Sequence, residues 1–207
     1  MFVQVIQGRT SDADGLRAAV DRWQAELAPG AEGWLGSTGG VTEDGRAIAV
    51  VRFESEEAAR RNSERPEQDR WWAETSTLFD GEATFRDSSE VVVDVQGDLD
   101  RAGFVQVMQG RTSDPERARQ LMAQDPDMWA KFRPDVLGSV EIAHEGGEYT
   151  MVLYFTSEAE AREGERQEMP LELQPVMEEM GKLAVGETEY FDLKQPQLRS
   201  PDGSTGG

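Results

Sequence analysis

The chain has 207 residues, 37% hydrophobic and 30% charged, an ordinary composition for a folded protein with one large core or two small ones. Asp and Glu outnumber Lys and Arg by 41 to 21. Split at Gly103, the two parts carry 21 acidic against 11 basic and 20 acidic against 10 basic residues, so the charge of −20 is shared equally. That distribution excludes the clustered cationic surface that nucleic acid or an anionic membrane requires. Cysteine is absent and His144 is the sole histidine, which excludes disulfides, thiolate nucleophiles and cysteine-ligated metals; neither a metal nor a cofactor is expected.

The chain opens on an apolar–polar alternation, FVQVIQG at residues 2–8, which predicts a strand. No basic, apolar leader precedes it and no apolar run reaches about 18 residues, so a cytoplasmic protein is expected. Thr10-Ser11-Asp12 supplies N-cap chemistry for a helix whose apolar stripe is Leu16, Val20, Trp23 and Leu27. Two strands follow, around Trp34–Val41 and Arg46–Glu54, with Gly45 in the turn between them. A helical region opens at Ser55 and breaks near Pro66, and a last strand begins near Glu82. Glu90–Gln96 either extends that strand or starts a linker.

The same order then repeats. Residues 104–114 read FVQVMQGRTSD against FVQVIQGRTSD at 2–12, identical at ten of eleven positions at an offset of 102. The offset also aligns Leu35-Gly36-Ser37 with Leu137-Gly138-Ser139 and Phe53 with Phe155, and needs no gap until about residue 60. In the second copy the first helix is expected to break at Asp125-Pro126 and the second helical region near Pro170. The predicted organisation is a first module at 1–96, a linker at 97–103, a second module at 104–194 and a flexible tail at 195–207. Each module reads β-α-β-β-α-β, the ferredoxin-like α+β arrangement. One such sheet leaves a face uncovered, so the copies are expected to pack sheet to sheet as a pseudo-dimer within one chain.

Element order, module length and the repeat, with Ser55-Glu56-Glu57-Ala58-Ala59 opening the second helical region, resemble the dimeric α+β barrel superfamily. The likeness is to antibiotic biosynthesis monooxygenase-like domains in a tandem-fused form, and it runs to about Leu193. That resemblance implies a function among cofactor-independent oxygenases acting on aromatic or polyketide-like compounds, haem-handling enzymes, isomerases and non-catalytic relatives. Haem-handling members carry a histidine after the second helix. This sequence has none there in either copy, which argues against haem.

Few residues suggest chemistry. Gln4 and Gln7, with Gln106 and Gln109, sit mid-strand; alternate residues share a face, so one pair can orient a ligand or bond its counterpart in the other copy. Asn62 is a second candidate amide. Trp71 and Trp72 are adjacent on a helix, about 100° apart, so one is expected to leave the core for a pocket, an interface or the surface. Ligand binding is therefore assigned to Gln4, Asn62, Trp71, Trp72 and Gln106, in an asymmetric pocket centred on the first copy; catalytic residues stay unassigned. Arg9 and Arg111 are expected to pair with acidic residues of the other half, and His144 to lie exposed at a turn. Gly206-Gly207 reads as linker-like. The leading expectation is a small-molecule-binding protein, a monomeric pseudo-dimer or weak homo-oligomer. The alternative is a non-catalytic interaction protein with an acidic surface and a filled core.

Overall fold

The computed structural model describes residues 1–124 and 126–201, which fall into two compact units. The first copy supplies β1 (Phe2–Arg9), α1 (Ala13–Glu26), β2 (Trp34–Val41), β3 (Arg46–Phe53), α2 (Glu56–Ser63), α3 (Pro66–Thr75) and β4 (Thr84–Ser88). Helix α1 starts where Asp12 accepts a hydrogen bond from the Gly15 N–H, and α2 where Ser55 accepts from that of Ala58. Proline at the first position of α3 separates it from α2. Gly45 closes the β2–β3 turn at φ +81°, with its N–H on the Thr42 carbonyl.

The second copy follows with β5 (Val91–Val95), β6 (Phe104–Arg111), α4 (Pro115–Met122), α5 (Pro126–Phe132), β7 (Val136–Ala143), β8 (Glu148–Phe155), α6 (Glu158–Glu165), α7 (Gln174–Leu183) and β9 (Glu189–Leu193). Asp114 and Ser157 cap α4 and α6 just as their first-copy counterparts do. The break between α4 and α5 falls at the expected proline, while Asp125 lies outside the described residues. A last strand, β10 (Gln197–Arg199), ends the described chain.

The sheets run β10-β2-β3-β1-β4 and β5-β7-β8-β6-β9. Each is the four-stranded ferredoxin-like order with a fifth strand added along β2 or β7, and the added strand comes from the segment that follows the other copy. The units accordingly join residues 1–91 with the chain from Leu193 onward, and residues 92–192. This departs from the sequence reading on both sides. Residues 91–95 neither extend the first sheet nor serve only as linker, and 197–199 are strand where flexible tail was expected. The physical reason is the open edge of β2. Its unpaired N–H and C=O groups accept another strand, and Leu198, 2% exposed, gives that strand an apolar anchor. Gly206-Gly207 lies outside the described residues.

The repeated glycine of Leu-Gly-Ser has its purpose here. Gly36 sits at a bulge in β2 with φ +129°, where a Cβ would come 2.7 Å from the Arg199 carbonyl oxygen of β10. A Cβ on Gly138 would come 2.5 Å from the Asp94 carbonyl oxygen of β5. Both glycines admit the added strand.

Each sheet carries its helices over the face of Phe2 and Phe53, or of Phe104 and Phe155, which are paired across strands. In the first unit the core beneath the helices gathers Phe2, Trp23, Leu27, Trp34 and Phe53. In the second it is smaller, built on Phe104, Phe155 and Ala161. Val3, Val5 and Val50 point to the opposite face and are buried as well.

Candidate functional site

A cavity of about 130 Å³ lies between the first sheet and helices α1, α2 and α3. Strand alternation sets its floor. Gln4 and Ile6 of β1 lie opposite Val51 and Ala49 of β3, Gly39 of β2 lies opposite Ala49, and Gln197 of β10 lies opposite Gly39. The small side chains of Ser37, Gly39, Ala47 and Ala49 leave the room that larger residues would fill. At one end Phe79 lies against β1 because position 8 is glycine: a Cβ there would meet the Phe79 ring at 2.6 Å.

The roof is two helix stripes. Leu16, Val20 and Trp23 come from α1, at i, i+4 and i+7. Gln68, Trp71, Trp72 and Thr75 come from α3, at i, i+3, i+4 and i+7. This corrects the expectation that Trp71 and Trp72 must part company. A face about 100° wide holds both when the stripe falls between them, and both are half-buried along the cavity.

The aromatic rings form a continuous series. Centroids are 4.9 Å apart for Trp34–Trp23, 6.4 Å for Trp23–Trp71 and 6.1 Å for Trp71–Trp72. Trp72 then meets Phe79 at 6.1 Å and Phe85 at 5.1 Å. Phe85 is 49% exposed, so the series runs from the buried Trp34 to solvent. Edge and tilted contacts at these distances are favourable for aromatic rings.

Polar groups interrupt this wall. Trp23 Nε1 donates to Gln68 Oε1 at 2.6 Å, and Trp71 Nε1 donates to the Ala19 carbonyl at 2.9 Å. Asn62 is buried and its Oδ1 accepts from Arg65 Nη1 at 3.0 Å, so its amide N–H groups are what it can offer a ligand. Arg65 also donates to the Leu27 carbonyl and to Glu67, tying α1, α2 and α3 together at this corner. The Glu67 carboxyl is held below the ordinary glutamate range, first by its own backbone N–H and then by Arg65. The Gln4 amide makes no side-chain hydrogen bond among the described residues. No side chain in the lining is charged or titratable near neutrality. The site can stack a flat apolar body and hydrogen-bond its substituents, and it is poorly suited to an ion.

Gln4, Asn62, Trp71 and Trp72 are thus brought together at one cavity. Gln106 is not among them. In the second unit its Nε2 donates to Asp192 Oδ1 at 2.9 Å, and Asp192 in turn pairs with Arg162. Gly164 stands where the first copy has Asn62, and a Cβ there would lie 2.5 Å from Arg133 Nε. Arg9 donates to the Asp44 carbonyl at the β2–β3 turn, a partner in its own unit and not an acidic side chain of the other half. His144 is half-buried, against the exposed position expected, because its Nε2 shares a hydrogen bond with Thr150 Oγ1 at 3.0 Å. Sequence reasoning missed Trp34, Gln68, Thr75, Phe79 and Gln197. The signal for two of them was present in the i, i+3, i+4, i+7 spacing through Trp71-Trp72; Gln197 carried none, since nothing local to it announces β10.

The sequence matches no protein-family model and no curated protein. The structure does find counterparts. A candidate monooxygenase from Lactobacillus acidophilus superposes with a TM-score of 0.75 at 10% identity, covering 99% of this chain and 98% of that one. A candidate monooxygenase from Fusobacterium nucleatum gives 0.73 at 9%, covering 99% and 96%. An anthrone oxidase-like protein gives 0.66 at 8%, covering 100% and 93%. At such identities the likeness is one of fold, carried over the full length of both chains: this protein shares the α+β fold of these three proteins.

Proposed function

We propose that the protein binds a small, neutral, largely flat organic molecule in the cavity of its first unit, with Trp71 and Trp72 against the ring system and Gln4 and Asn62 orienting its substituents. The observation that carries this reading is the cavity itself: aromatic walls, a floor of small residues and uncharged amides at its margin. An interaction protein with a filled core is less well supported, because this core is not filled. If the bound molecule reacts, the reading favours oxygenation over isomerisation. In the oxygenation, a substrate CH₂ becomes C=O; the substrate is the reductant, and the two atoms of dioxygen end in the new carbonyl and in water. The names of the counterparts, two candidate monooxygenases and an anthrone oxidase-like protein, lend this class support by analogy of fold only.

The test is native mass spectrometry of freshly purified protein. The expected result is a mass above that of the chain, lost on unfolding and identified as an uncharged ring compound. Apo protein alone, together with no change in tryptophan fluorescence across a panel of ring compounds, would remove the reading.

A further inference from the structure

The four tryptophans of the cavity are not equally served. Trp23 and Trp71 have acceptors for their N–H groups. Trp34 Nε1 is buried, in a residue only 4% exposed, and meets no acceptor among the described residues. A buried indole N–H ordinarily finds one. Thr75, at the end of α3, repeats the pattern. It is 2% exposed and its hydroxyl has no partner, although the neighbouring Ser76 and Thr77 hydroxyls both donate back to helix carbonyls, at 3.2 and 2.7 Å. A threonine in a helix commonly takes that option itself. Among the described residues, these are the two unpartnered buried side-chain groups that belong to the cavity's lining. Buried polar groups left unpaired destabilise a fold and call for an explanation.

We infer that Trp34 Nε1 and Thr75 Oγ1 are the polar anchors of the cavity, selecting a neutral single-ring compound that carries a carbonyl oxygen. The inference rests on the binding reading above and gives it a specificity. The indole N–H can only donate and so requires an acceptor, and the hydroxyl can donate to an acceptor too, so an acceptor is the one kind of group that serves both. An ionised acceptor would enter a space with no compensating charge, which favours a carbonyl over a carboxylate. The size follows from the volume: about 130 Å³ is close to the roughly 150 Å³ of an engineered apolar cavity that takes up benzene.

Acetophenone and cumene have nearly the same shape and differ in the carbonyl, so titration calorimetry with both probes tests the assignment. Wild type is compared with Trp34→Phe, which removes the N–H but keeps an aromatic ring, and Thr75→Val, which keeps the volume. Wild type should bind acetophenone more tightly than cumene. Each substitution should weaken acetophenone relative to cumene by about three- to tenfold, the range of one neutral hydrogen bond. Unliganded Thr75→Val should melt at or above the wild-type temperature, since it loses an unpaired polar group at constant volume, whereas Trp34→Phe also shrinks a core side chain and should melt lower. If acetophenone binds no tighter than cumene, or both probes weaken equally in the variants, the anchors are refuted while the cavity remains a binding site. If neither probe binds wild type, both readings fall. Should Trp34→Phe not fold, Thr75→Val alone decides between these outcomes.

Discussion

Leu198→Ala tests the least expected part of the fold, because β10 docks on β2 only if its central side chain finds a buried place there. Leu198 is 2% exposed and lies opposite Thr38 in the register. Around it, Gln197 Nε2 donates to the Arg17 carbonyl, Gln24 Nε2 donates to that of Ser200, and Arg199 pairs with Asp21. Cutting a buried leucine to alanine costs about 2–5 kcal/mol, and a strand at the sheet edge can shift to close part of the gap, so about 2–3 kcal/mol is expected. With a urea dependence of about 2 kcal/mol per molar, the midpoint should fall by about 1–1.5 M. The assay is favourable, since four of the five tryptophans (Trp23, Trp34, Trp71 and Trp72) lie in the unit that β10 completes. Their fluorescence follows that unit, and far-ultraviolet dichroism follows both. A chain ended at Pro201 is the control and should unfold as wild type does. If Leu198→Ala shifts the fluorescence midpoint by less than about 0.3 M, which at that urea dependence is about 0.6 kcal/mol, β10 is not docked in solution and the exchanged-strand description of the first sheet is wrong.

The two adjacent tryptophans should separate by function. Trp71→Phe loses the bond to the Ala19 carbonyl and should cost about 1 kcal/mol of stability, whereas Trp72→Phe should cost less and change ligand-induced fluorescence more. Equivalent glutamines should respond differently to leucine. Gln106→Leu removes a bond to the Asp192 carboxylate and should destabilise by about 1.5–3 kcal/mol, while Gln4→Leu, which loses no partner, should be close to neutral in urea melts without ligand. Glu67 has its carboxyl lowered by its backbone N–H and by Arg65. Its contribution is therefore complete above the ordinary glutamate value of about 4.3 and is lost as pH falls through the lower folded value. Urea midpoints from pH 6 to 3 should decline less steeply in Glu67→Gln than in wild type, and parallel declines would refute that assignment.

Local signals in this chain were legible and relational ones were not. Alternation in FVQVIQG, the capping residues Asp12 and Ser55, and the prolines at 66 and 126 each act within a few residues of themselves, and they place strands, helices and breaks without knowledge of the rest. Most of the candidate site follows from these, because alternation fixes the face of Gln4 and helical spacing fixes that of Trp71. The destination of a strand is a different kind of quantity. Val91–Val95 is recognisable as β-forming from its branched residues, but which sheet it joins depends on which edge is open. Gln197–Arg199 lacks even the composition: it is three residues in a Pro-, Ser- and Gly-rich stretch, held by Leu198 and by partners some 160 to 180 positions away. The repeated Gly36 and Gly138 did record that a backbone passes closely at both places, although a glycine cannot say which strand it admits.

Duplication explains why the cavity is found through the first copy's residues. The frame has been kept in both: paired phenylalanines under the helices, capped helix starts, a glycine bulge beside an added strand. The fill has diverged at the positions that line the cavity. At the offset of 102, Trp34 corresponds to Val136 and Asn62 to Gly164. The glycine leaves room for Arg133, whose guanidinium pairs with Asp135 and lies 5.4 Å from the Phe155 ring centre. Gln106 has the carboxylate of Asp192, itself paired with Arg162, whose guanidinium lies 5.2 Å from the Phe104 ring centre. Those contacts give Gln106 a charged partner that Gln4 lacks in the first unit. The second unit thus packs an ion pair and cation–π contacts at these positions, whereas in the first an uncharged amide, an indole and a hydroxyl without partners line a cavity. On the proposed reading the first unit is a container, and what sets its cavity apart from the same place in the second unit is a handful of side chains that no element boundary reveals.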